Sequence, residues 1–203
     1  SLSMTQKYPD GNVVYSPGTV IISAAGEVTD IRKTVEPVLK YDANSRLIYI
    51  DMSGTGFSLG GSSFAQVMNA LGTNTPSVAD PDYFKTVFNT IQNLIASEHI
   101  LAGHDISAGG MLIALLEMTF SSEQMGLEID LSGIPEKDII KILLSENPGI
   151  LIQVNANSPA IKILNDKGIN YFDLGKPLRS DTIILKKDGW LQPLNIKKYR
   201  DVW

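Results

Sequence analysis

Residues 103–110 carry the side chains best suited to chemistry in this 203-residue chain. They read Gly-His-Asp-Ile-Ser-Ala-Gly-Gly and lie between a short apolar run, residues 100–102, and a helix-like run, residues 111–120. A strand that ends at His104 and Asp105 and then passes through two glycines into a helix places a carboxylate, a hydroxyl and free backbone N–H groups around one point. The pattern predicts a corner that binds phosphate and a metal ion.

Two interpretations of this corner follow from the residue types. In the first, the carboxylate binds a metal ion, and the hydroxyl joins free backbone N–H groups of the turn in holding a phosphate. In the second, Asp105 or Ser107 caps the helix that follows, while the two glycines allow close packing. His104 either contacts a nucleotide or a neighbouring subdomain, or it is a structural residue that forms hydrogen bonds at the strand end.

A second glycine-rich segment, Gly60-Gly61-Ser62, precedes an amphipathic run at residues 63–71. Its N–H groups either hold a substrate or nucleotide phosphate or form a tight loop that leads into a helix. Glu117 is predicted to lie on a helix face beneath the His-Asp corner, where a carboxylate can support a metal site from behind.

Composition excludes several classes of partner and chemistry. The net charge is −5 and the lysines are scattered, so no basic stripe for nucleic acid is present. No apolar run is long enough to span a membrane. The absence of cysteine excludes disulfides, thiolate metal sites and a cysteine nucleophile, and it agrees with a reducing compartment. No secretory signal pattern precedes the first strand, so we expect a cytoplasmic protein.

Hydrophobic periodicity predicts alternating strands and helices. Strands are expected at residues 19–25, 47–52, 100–102, 126–131, 150–154 and 169–174. Helices are expected at residues 63–71, from Pro81 onward, and at 111–120, 135–145 and 159–166. Residues 182–186 and 190–194 flank Lys187-Asp188-Gly189, which is typical of a β-hairpin.

These elements predict an α/β (α+β) fold with a mixed β-sheet packed against helices. We expect one domain over residues 1–203, with residues 1–17 and 195–203 as connecting segments of a longer chain. The apolar residues of the two central helices are assigned to the core. They are Phe64, Val67, Met68 and Leu71 in the first helix, and Phe84, Val87, Phe88, Ile91, Leu94 and Ile95 in the second.

Five segments resemble motifs of one enzyme family. Residues 1–4, 59–67, 104–110, 115–120 and 199–203 are similar to segments of phosphoribosylformylglycinamidine synthase in its large, single-chain form. The likeness covers nearly the whole chain and falls on the C-terminal subdomain of the second synthetase half. It implies the fold of the C-terminal domain of aminoimidazole ribonucleotide (AIR) synthetase.

The resemblance implies an activity and a set of site residues. The family uses ATP to convert formylglycinamide ribonucleotide and glutamine to the amidine, glutamate, ADP and phosphate, with Mg²⁺ neutralising the phosphate charge. Asp105 matches a position that binds Mg²⁺, and Ser107 matches one that contacts nucleotide. The nucleotide side of the site would also include His104, Gly109, Gly110, Gly60, Gly61 and Ser62. Where the family usually has Arg and a second Asp, this chain has Ile106 and Ala108.

The resemblance also implies partners that this chain lacks. Glutamine hydrolysis needs a cysteine nucleophile, so the ammonia source must be a downstream glutaminase domain, and an upstream synthetase subdomain must complete the nucleotide site. The family has a catalytic and an auxiliary nucleotide site, and this region helps to build the auxiliary one. We therefore expect the isolated chain to be inactive. The alternatives are a related ATP-using synthetase of the same superfamily and a non-catalytic module that binds nucleotide or braces a neighbour.

Overall fold

The computed structural model describes residues 4–16, 22–28 and 30–203, which divide into two compact units, residues 1–32 and 33–203. The first unit contains an antiparallel hairpin of β1 (Met4–Lys7) and β2 (Val13–Ser16). This hairpin was not predicted, although Asp10 and Gly11 in its turn are typical turn residues. The predicted strand at 19–25 is wrong for residues 22–25, which are irregular, and its other residues lie outside the described ones.

A seven-stranded mixed sheet forms the centre of the second unit in the described chain. Its strands are β3 (Ser45–Asp51), β4 (Ala102–Asp105), β5 (Gly126–Asp130), β6 (Gly149–Asn155), β7 (Phe172–Leu178), β8 (Thr182–Lys187) and β9 (Trp190–Asn195). The order across the sheet is β4-β6-β3-β7-β5-β8-β9. Only β5 and β8 pair in parallel; the other neighbours are antiparallel. The predicted mixed sheet and the β8–β9 hairpin are confirmed.

Six α-helices connect or follow these strands within the described residues. They are α1 (Ser63–Val67), α2 (Pro81–Ala96), α3 (Gly110–Phe120), α4 (Ile139–Leu144), α5 (Ala160–Asp166) and α6 (Ile196–Val202). Asp80 caps α2 by accepting hydrogen bonds from the N–H groups of Asp82 and Tyr83, and Pro81 occupies the first turn. An Asp cap followed by Pro satisfies the free N–H groups at a helix start.

Helices cover both faces of the sheet. Successive side chains of a strand point alternately to the two faces and so enter two different apolar cores. Ile48 and Ile50 of β3 pack in the cluster that α2 and α5 complete. Leu47 and Tyr49, on the opposite face of the same strand, pack in the cluster that contains α3. Because successive side chains point to opposite faces, this one short apolar strand contributes to the cores on both sides of the sheet.

The predicted core stripe of the first helix is wrong. The helix α1 ends at Val67, with Met68 as its C-cap and Asn69 at a φ of 50°. Residues beyond that left-handed position cannot continue the helical face. Val67, Met68 and Leu71 are consequently 84%, 60% and 59% exposed.

Smaller differences concern the ends of elements. In α2 the residue Phe88 is half exposed, although Val87, Ile91 and Leu94 are buried as predicted. The helix α4 starts at Ile139 and not at residue 135. No helix of the described residues is both long and apolar enough to cross a membrane.

The segment predicted as a C-terminal connection, residues 195–203, is largely helical. Asn195 caps α6 by accepting a hydrogen bond from the Lys198 N–H. The Ile196 side chain is buried in the same core as α3. The rings of Phe120 and Trp203 meet edge to face with centroids 5.9 Å apart. Packing of this segment on α3 makes it part of the second unit.

Candidate functional site

The strand β4 ends with His104 and Asp105, as predicted, although it begins at Ala102 and not at residue 100. The next residue, Ile106, is buried and donates its N–H to the Gly149 carbonyl at 2.9 Å. A two-residue exposed turn, Ser107 and Ala108, then leads to α3. The predicted strand-to-helix corner therefore exists.

Left-handed backbone at both glycines makes this turn. Gly109 has a φ of 87° and Gly110 a φ of 71°, values that favour glycine. A Cβ on Gly110 would lie 2.7 Å from the Leu143 carbonyl oxygen and 2.8 Å from that of Ser145. Gly110 therefore serves both the turn and close packing against the end of α4, whereas a Cβ on Gly109 would meet the Ile113 side chain of α3.

The capping interpretation of Asp105 and Ser107 is wrong. The N-cap of α3 is Gly109, and no side chain caps it. The Asp105 side chain is 80% exposed. Within residues 30–203, the Ser107 hydroxyl and the N–H groups of Ser107 and Ala108 form no hydrogen bond. The corner thus presents a carboxylate, a hydroxyl and two N–H donors to the outside.

His104 contacts oxygen atoms through both ring nitrogens. Nδ1 lies 2.7 Å from the Asp105 carbonyl oxygen, and Nε2 lies 2.9 Å from Oε2 of Glu117 on α3. A neutral imidazole has one N–H, so only the doubly protonated ring donates to both. His104 joins β4 to α3, as its structural interpretation predicts, and Glu117 lies beneath the corner as expected.

Two apolar cavities open beside Asp105 between α2 and the sheet. Their volumes are about 310 Å³ and about 290 Å³, and both are lined by Ile91, Asp105 and Ile150. The second is also lined by Phe84 and Phe88, which explains why Phe88 is half exposed on an otherwise buried helix face. Asp105 is therefore a carboxylate at the edge of apolar surface.

The Gly60-Gly61-Ser62 loop uses its N–H groups within the chain. Those of Gly60, Gly61 and Ser62 donate to the carbonyl oxygens of Asn74, Leu71 and Leu59 at 2.9, 2.8 and 3.1 Å. The Ser62 hydroxyl caps α1 by accepting from the Ala65 N–H at 3.2 Å. This geometry is that of a tight loop leading into a helix.

Glu146 joins the two glycine-rich segments, and it is not among the site residues predicted from the sequence. Its Oε1 accepts hydrogen bonds from the Ser63 N–H and from the Gly109 N–H, each at 2.8 Å. Burial raises the pKa of Glu146, but the hydrogen bonds from Gly109 and Ser63 outweigh it and hold the pKa below the usual value. No local pattern marks this residue, because both donors are distant in the sequence.

Buried polar groups fix the segment that carries Glu146. The Asn147 side chain donates to the Ser53 hydroxyl and to the Gly56 carbonyl, each at 3.1 Å. The Ser145 hydroxyl donates to the Asn147 Oδ1 at 2.5 Å, and the Ser58 N–H donates to the same oxygen at 3.2 Å. This network fastens the loop after β3 to the segment after α4.

A family model describes the same region. The model for the C-terminal domain of AIR synthase related proteins matches residues 45–186. The chain belongs to this family. The match begins at β3 and ends within β8, so it includes both glycine-rich segments and Glu146.

Curated relatives cover most of the chain. It is 35% identical over 210 aligned residues, 100% of this chain, to the probable phosphoribosylformylglycinamidine synthase, chloroplastic/mitochondrial, of Arabidopsis thaliana. It is 36% identical over 82% of its length to the probable enzyme of that name from Caenorhabditis elegans, and 33% identical over 86% to the Homo sapiens phosphoribosylformylglycinamidine synthase. The chain spans only 13–14% of these relatives.

Solved structures share the fold. Thermotoga maritima PurL complexed with FGAR aligns with a TM-score of 0.65 at 14% identity, over 84% of this chain and 30% of that one. Thermotoga maritima PurL complexed with ATP aligns with a TM-score of 0.61, also at 14% identity, over 82% of this chain and 27% of that one. At this identity the likeness establishes the fold of the AIR synthase related domain.

The described domain has the residues for one side of a metal site and not for a complete set of ligands. The described residues contain no group of three or more His, Asp or Glu side chains that could hold a metal ion. Mg²⁺ in phosphoryl-transfer sites needs only one or two carboxylates, with phosphate oxygens and water as the other ligands. Asp105, exposed at the corner, fits one such carboxylate.

Proposed function

We propose that this domain belongs to the second synthetase half of a phosphoribosylformylglycinamidine synthase and supplies one side of a Mg-nucleotide site. The observation that carries the proposal is the 35% identity over the full chain to the Arabidopsis thaliana protein of that name. The exposed corner supports it, because the Ser107 hydroxyl and the N–H groups of Ser107 and Ala108 form no hydrogen bond within the described domain. The Asp105 carboxylate lies 3.6 Å from His104 Nδ1 but is 80% exposed. The parent reaction forms the amidine from formylglycinamide ribonucleotide with ammonia derived from glutamine, at the expense of ATP.

Each group at the corner has a role in this proposal. The Asp105 carboxylate would hold Mg²⁺, which neutralises phosphate charge during phosphoryl transfer. The Ser107 hydroxyl and the N–H groups of Ser107 and Ala108 would donate to phosphate oxygens of ATP or ADP. Gly109 and Gly110 shape the turn, and His104 holds the strand to α3.

The Gly60-Gly61-Ser62 loop contributes in this proposal by supporting α1 beside the corner. Its own N–H groups are used within the chain, so its contribution does not require them to bind phosphate. Ser62 caps α1, and Ser63 shares the Glu146 carboxylate with Gly109. The two segments are therefore parts of one structure.

The remaining parts of the reaction are assigned to other regions of the parent chain. The chain has no cysteine, so a downstream glutaminase domain would release ammonia from glutamine. An upstream synthetase subdomain would supply the other half of the nucleotide site. The isolated chain should form no amidine from ATP, Mg²⁺, ammonia and formylglycinamide ribonucleotide, and turnover would contradict the shared-site proposal.

The exposed apolar patch of Val67, Met68 and Leu71 is the proposed contact with the upstream subdomain. It follows in sequence the loop whose Ser63 shares the Glu146 carboxylate with Gly109 of the corner. Mixing the chain with a separately expressed upstream segment should give a complex with Kd in the tens of micromolar or tighter, roughly −6 to −7 kcal/mol, by titration calorimetry. Val67→Ser should weaken it, while Val202→Ser, at an equally exposed apolar position on α6, should not.

A second function is favoured by two residues of the corner. Ile106 is buried and Ala108 is exposed, at positions where the resembled family usually has charged side chains. Fewer charged contacts suit an auxiliary site that binds nucleotide without turning it over. Such a non-catalytic module would retain nucleotide tightly. Altering its corner would leave amidine formation unchanged. A related synthetase of the same superfamily would instead turn over ATP with a different acceptor.

The deciding experiment places Asp105→Asn in the full-length parent protein. We expect Mg-ADP affinity to fall at least about tenfold, because one anionic metal ligand is lost. Asp201→Asn, an exposed aspartate on α6, is the matched control and should leave affinity unchanged. Unchanged affinity in the Asp105 variant would remove the metal role.

The expected compartment remains the cytoplasm, on the grounds of composition. The name of the Arabidopsis thaliana relative places that protein in chloroplasts or mitochondria. Fractionation of cells that express the tagged parent would assign the compartment of this protein.

A further inference from the structure

We propose that Glu146 is a positioning residue, whose carboxylate holds the loop at residues 60–63 against the turn at residues 107–110 and so fixes Asp105 and Ser107 for nucleotide. The inference rests on the proposed function, because it concerns the same site. It adds a residue that touches neither metal nor nucleotide and acts through the backbone.

One oxygen atom makes both contacts. Oε1 of Glu146 accepts from the Ser63 N–H and the Gly109 N–H at 2.8 Å each, across sequence separations of 83 and 37 residues. Ser63 is the first residue of α1, and Gly109 is the N-cap of α3. Loss of this oxygen would leave the two N–H donors without their acceptor and would remove a link between two segments that are distant in the sequence.

Glu146 is itself held in place. Its neighbours Ser145 and Asn147 are 3% and 2% exposed and belong to the polar network below the loop after β3. On the other side, the carbonyl oxygens of Leu143 and Ser145 lie close to Gly110. Because Ser145 and Asn147 are fixed, the position of the Glu146 carboxylate is set independently of Ser63 and Gly109. It can therefore restrain both of them.

The Glu146 carboxylate also determines which backbone N–H groups of the turn remain unbonded. Within residues 33–203 no charged side chain forms an ion pair with Glu146, so its partners there are N–H groups and the Ser63 side chain. The carboxylate is ionised at neutral pH, because the hydrogen bonds from Gly109 and Ser63 keep its pKa low despite burial. It accepts the hydrogen bonds of the Ser63 and Gly109 N–H groups, and the Ser107 and Ala108 N–H groups remain available for phosphate.

The first test uses NMR on the 203-residue chain. In the wild type, the Ser63 and Gly109 amide resonances should shift with pH and share one midpoint, below the ordinary glutamate pKa of 4.5. Glu146→Gln should keep the fold and abolish this shared titration, since its side-chain oxygen accepts hydrogen bonds but carries no charge. Two different midpoints, or a titration that survives in Glu146→Gln, would overturn the assignment.

Amide hydrogen exchange measures how firmly Glu146 holds the N–H groups of Ser63 and Gly109. Glu146→Ala should speed hydrogen exchange at Ser63 and Gly109 by at least about tenfold, while Glu146→Gln should change it by less than about threefold. Glu123→Ala, at a glutamate with no hydrogen bond or ion pair in the described chain, is the matched control. Equal exchange in the alanine and glutamine variants would show that this oxygen does not hold the segments.

The second test measures Mg-ADP affinity in the full-length parent. We expect Glu146→Ala to weaken it about tenfold and Glu146→Gln to restore most of it, with Asp105→Asn measured alongside. If Asp105→Asn weakens binding but Glu146→Ala does not, the positioning role is wrong and the proposed function stands. If Asp105→Asn has no effect, the proposed function fails and the positioning role falls with it.

Discussion

Two glycine-rich segments lead into helices in this domain, and they differ in where their hydrogen bonds go. The Gly60-Gly61-Ser62 loop directs its N–H groups to the carbonyl oxygens of Asn74, Leu71 and Leu59, and its serine caps α1. The turn at Ser107 and Ala108 leaves a hydroxyl and two N–H groups unbonded in the described chain, next to the exposed Asp105. Similar composition therefore produces one closed loop and one open turn.

Distant residues produce this difference. Asn74 and Leu71 accept the donors of the first segment, whereas only Gly109 of the second segment receives a side-chain partner, Glu146. A glycine motif by itself cannot indicate which case applies, because the deciding acceptors lie elsewhere in the chain. Substitutions in each segment measure how closed the loop is and how open the turn is.

The largest effect is expected for Gly110→Ala. Its left-handed φ and the close carbonyl oxygens of Leu143 and Ser145 leave no room for a Cβ, so we expect a loss of about 3 kcal/mol or more in the free energy of unfolding. Gly133→Ala is the control, since nothing lies within 4 Å of its added Cβ. Urea denaturation measures both, and equal midpoints would mean that the turn can move away from α4.

A smaller effect is expected for Ser62→Ala. The variant removes the cap on α1 and the bond from the Ser62 hydroxyl to the Leu59 carbonyl at 2.7 Å. Loss of a serine cap costs about 1 kcal/mol of unfolding free energy. Ser62→Asn retains a capping oxygen and should recover part of the loss in the same urea titration. If the alanine variant is as stable as the wild type, the loop is less closed than its hydrogen bonds indicate.

Much of the fold could be predicted because its central elements have strong periodicity. The strands β3 and β6 and the helices α2 and α3 occur where their apolar patterns place them. The stripe from Phe64 to Leu71 misled the prediction, because spacing alone does not reveal that the chain turns at Asn69. A helical pattern of two turns predicts a buried face only if the helix continues.

The candidate site could be predicted only in part. The corner from His104 to Gly110 was located by residue type, and the structure brings it beside the Gly60-Gly61-Ser62 loop. Glu146 could not be predicted, since nothing near it in the sequence distinguishes it from a solvated glutamate. The cap alternative for Asp105 also needed the structure, because it depends on how far β4 extends.

A pH effect of smaller size should appear at Glu146. A carboxyl whose pKa is lowered by folding adds stability above its unfolded value, near 4.5, and this contribution is lost as the pH falls through the folded value. Between about pH 5 and pH 3.5, wild type should therefore lose more stability than Glu146→Gln in thermal unfolding. The other carboxyl groups contribute equally to the pH dependence of both proteins, so their effect cancels in the comparison. Parallel losses would show that the contacts with Ser63 and Gly109 do not favour the charged form.

The smallest effect on stability is expected for Ser107→Ala, which tests the openness of the turn directly. The Ser107 hydroxyl has no hydrogen bond in the described chain, so its removal should change the free energy of unfolding by less than about 0.5 kcal/mol. In the full-length parent the same variant should weaken Mg-ADP binding, because the hydroxyl is proposed to donate to phosphate. Neutral stability with weaker binding is the pattern of a residue held ready for a ligand. A stability loss as large as that of Ser62→Ala would instead make the two segments alike, and the contrast between closed loop and open turn would be wrong.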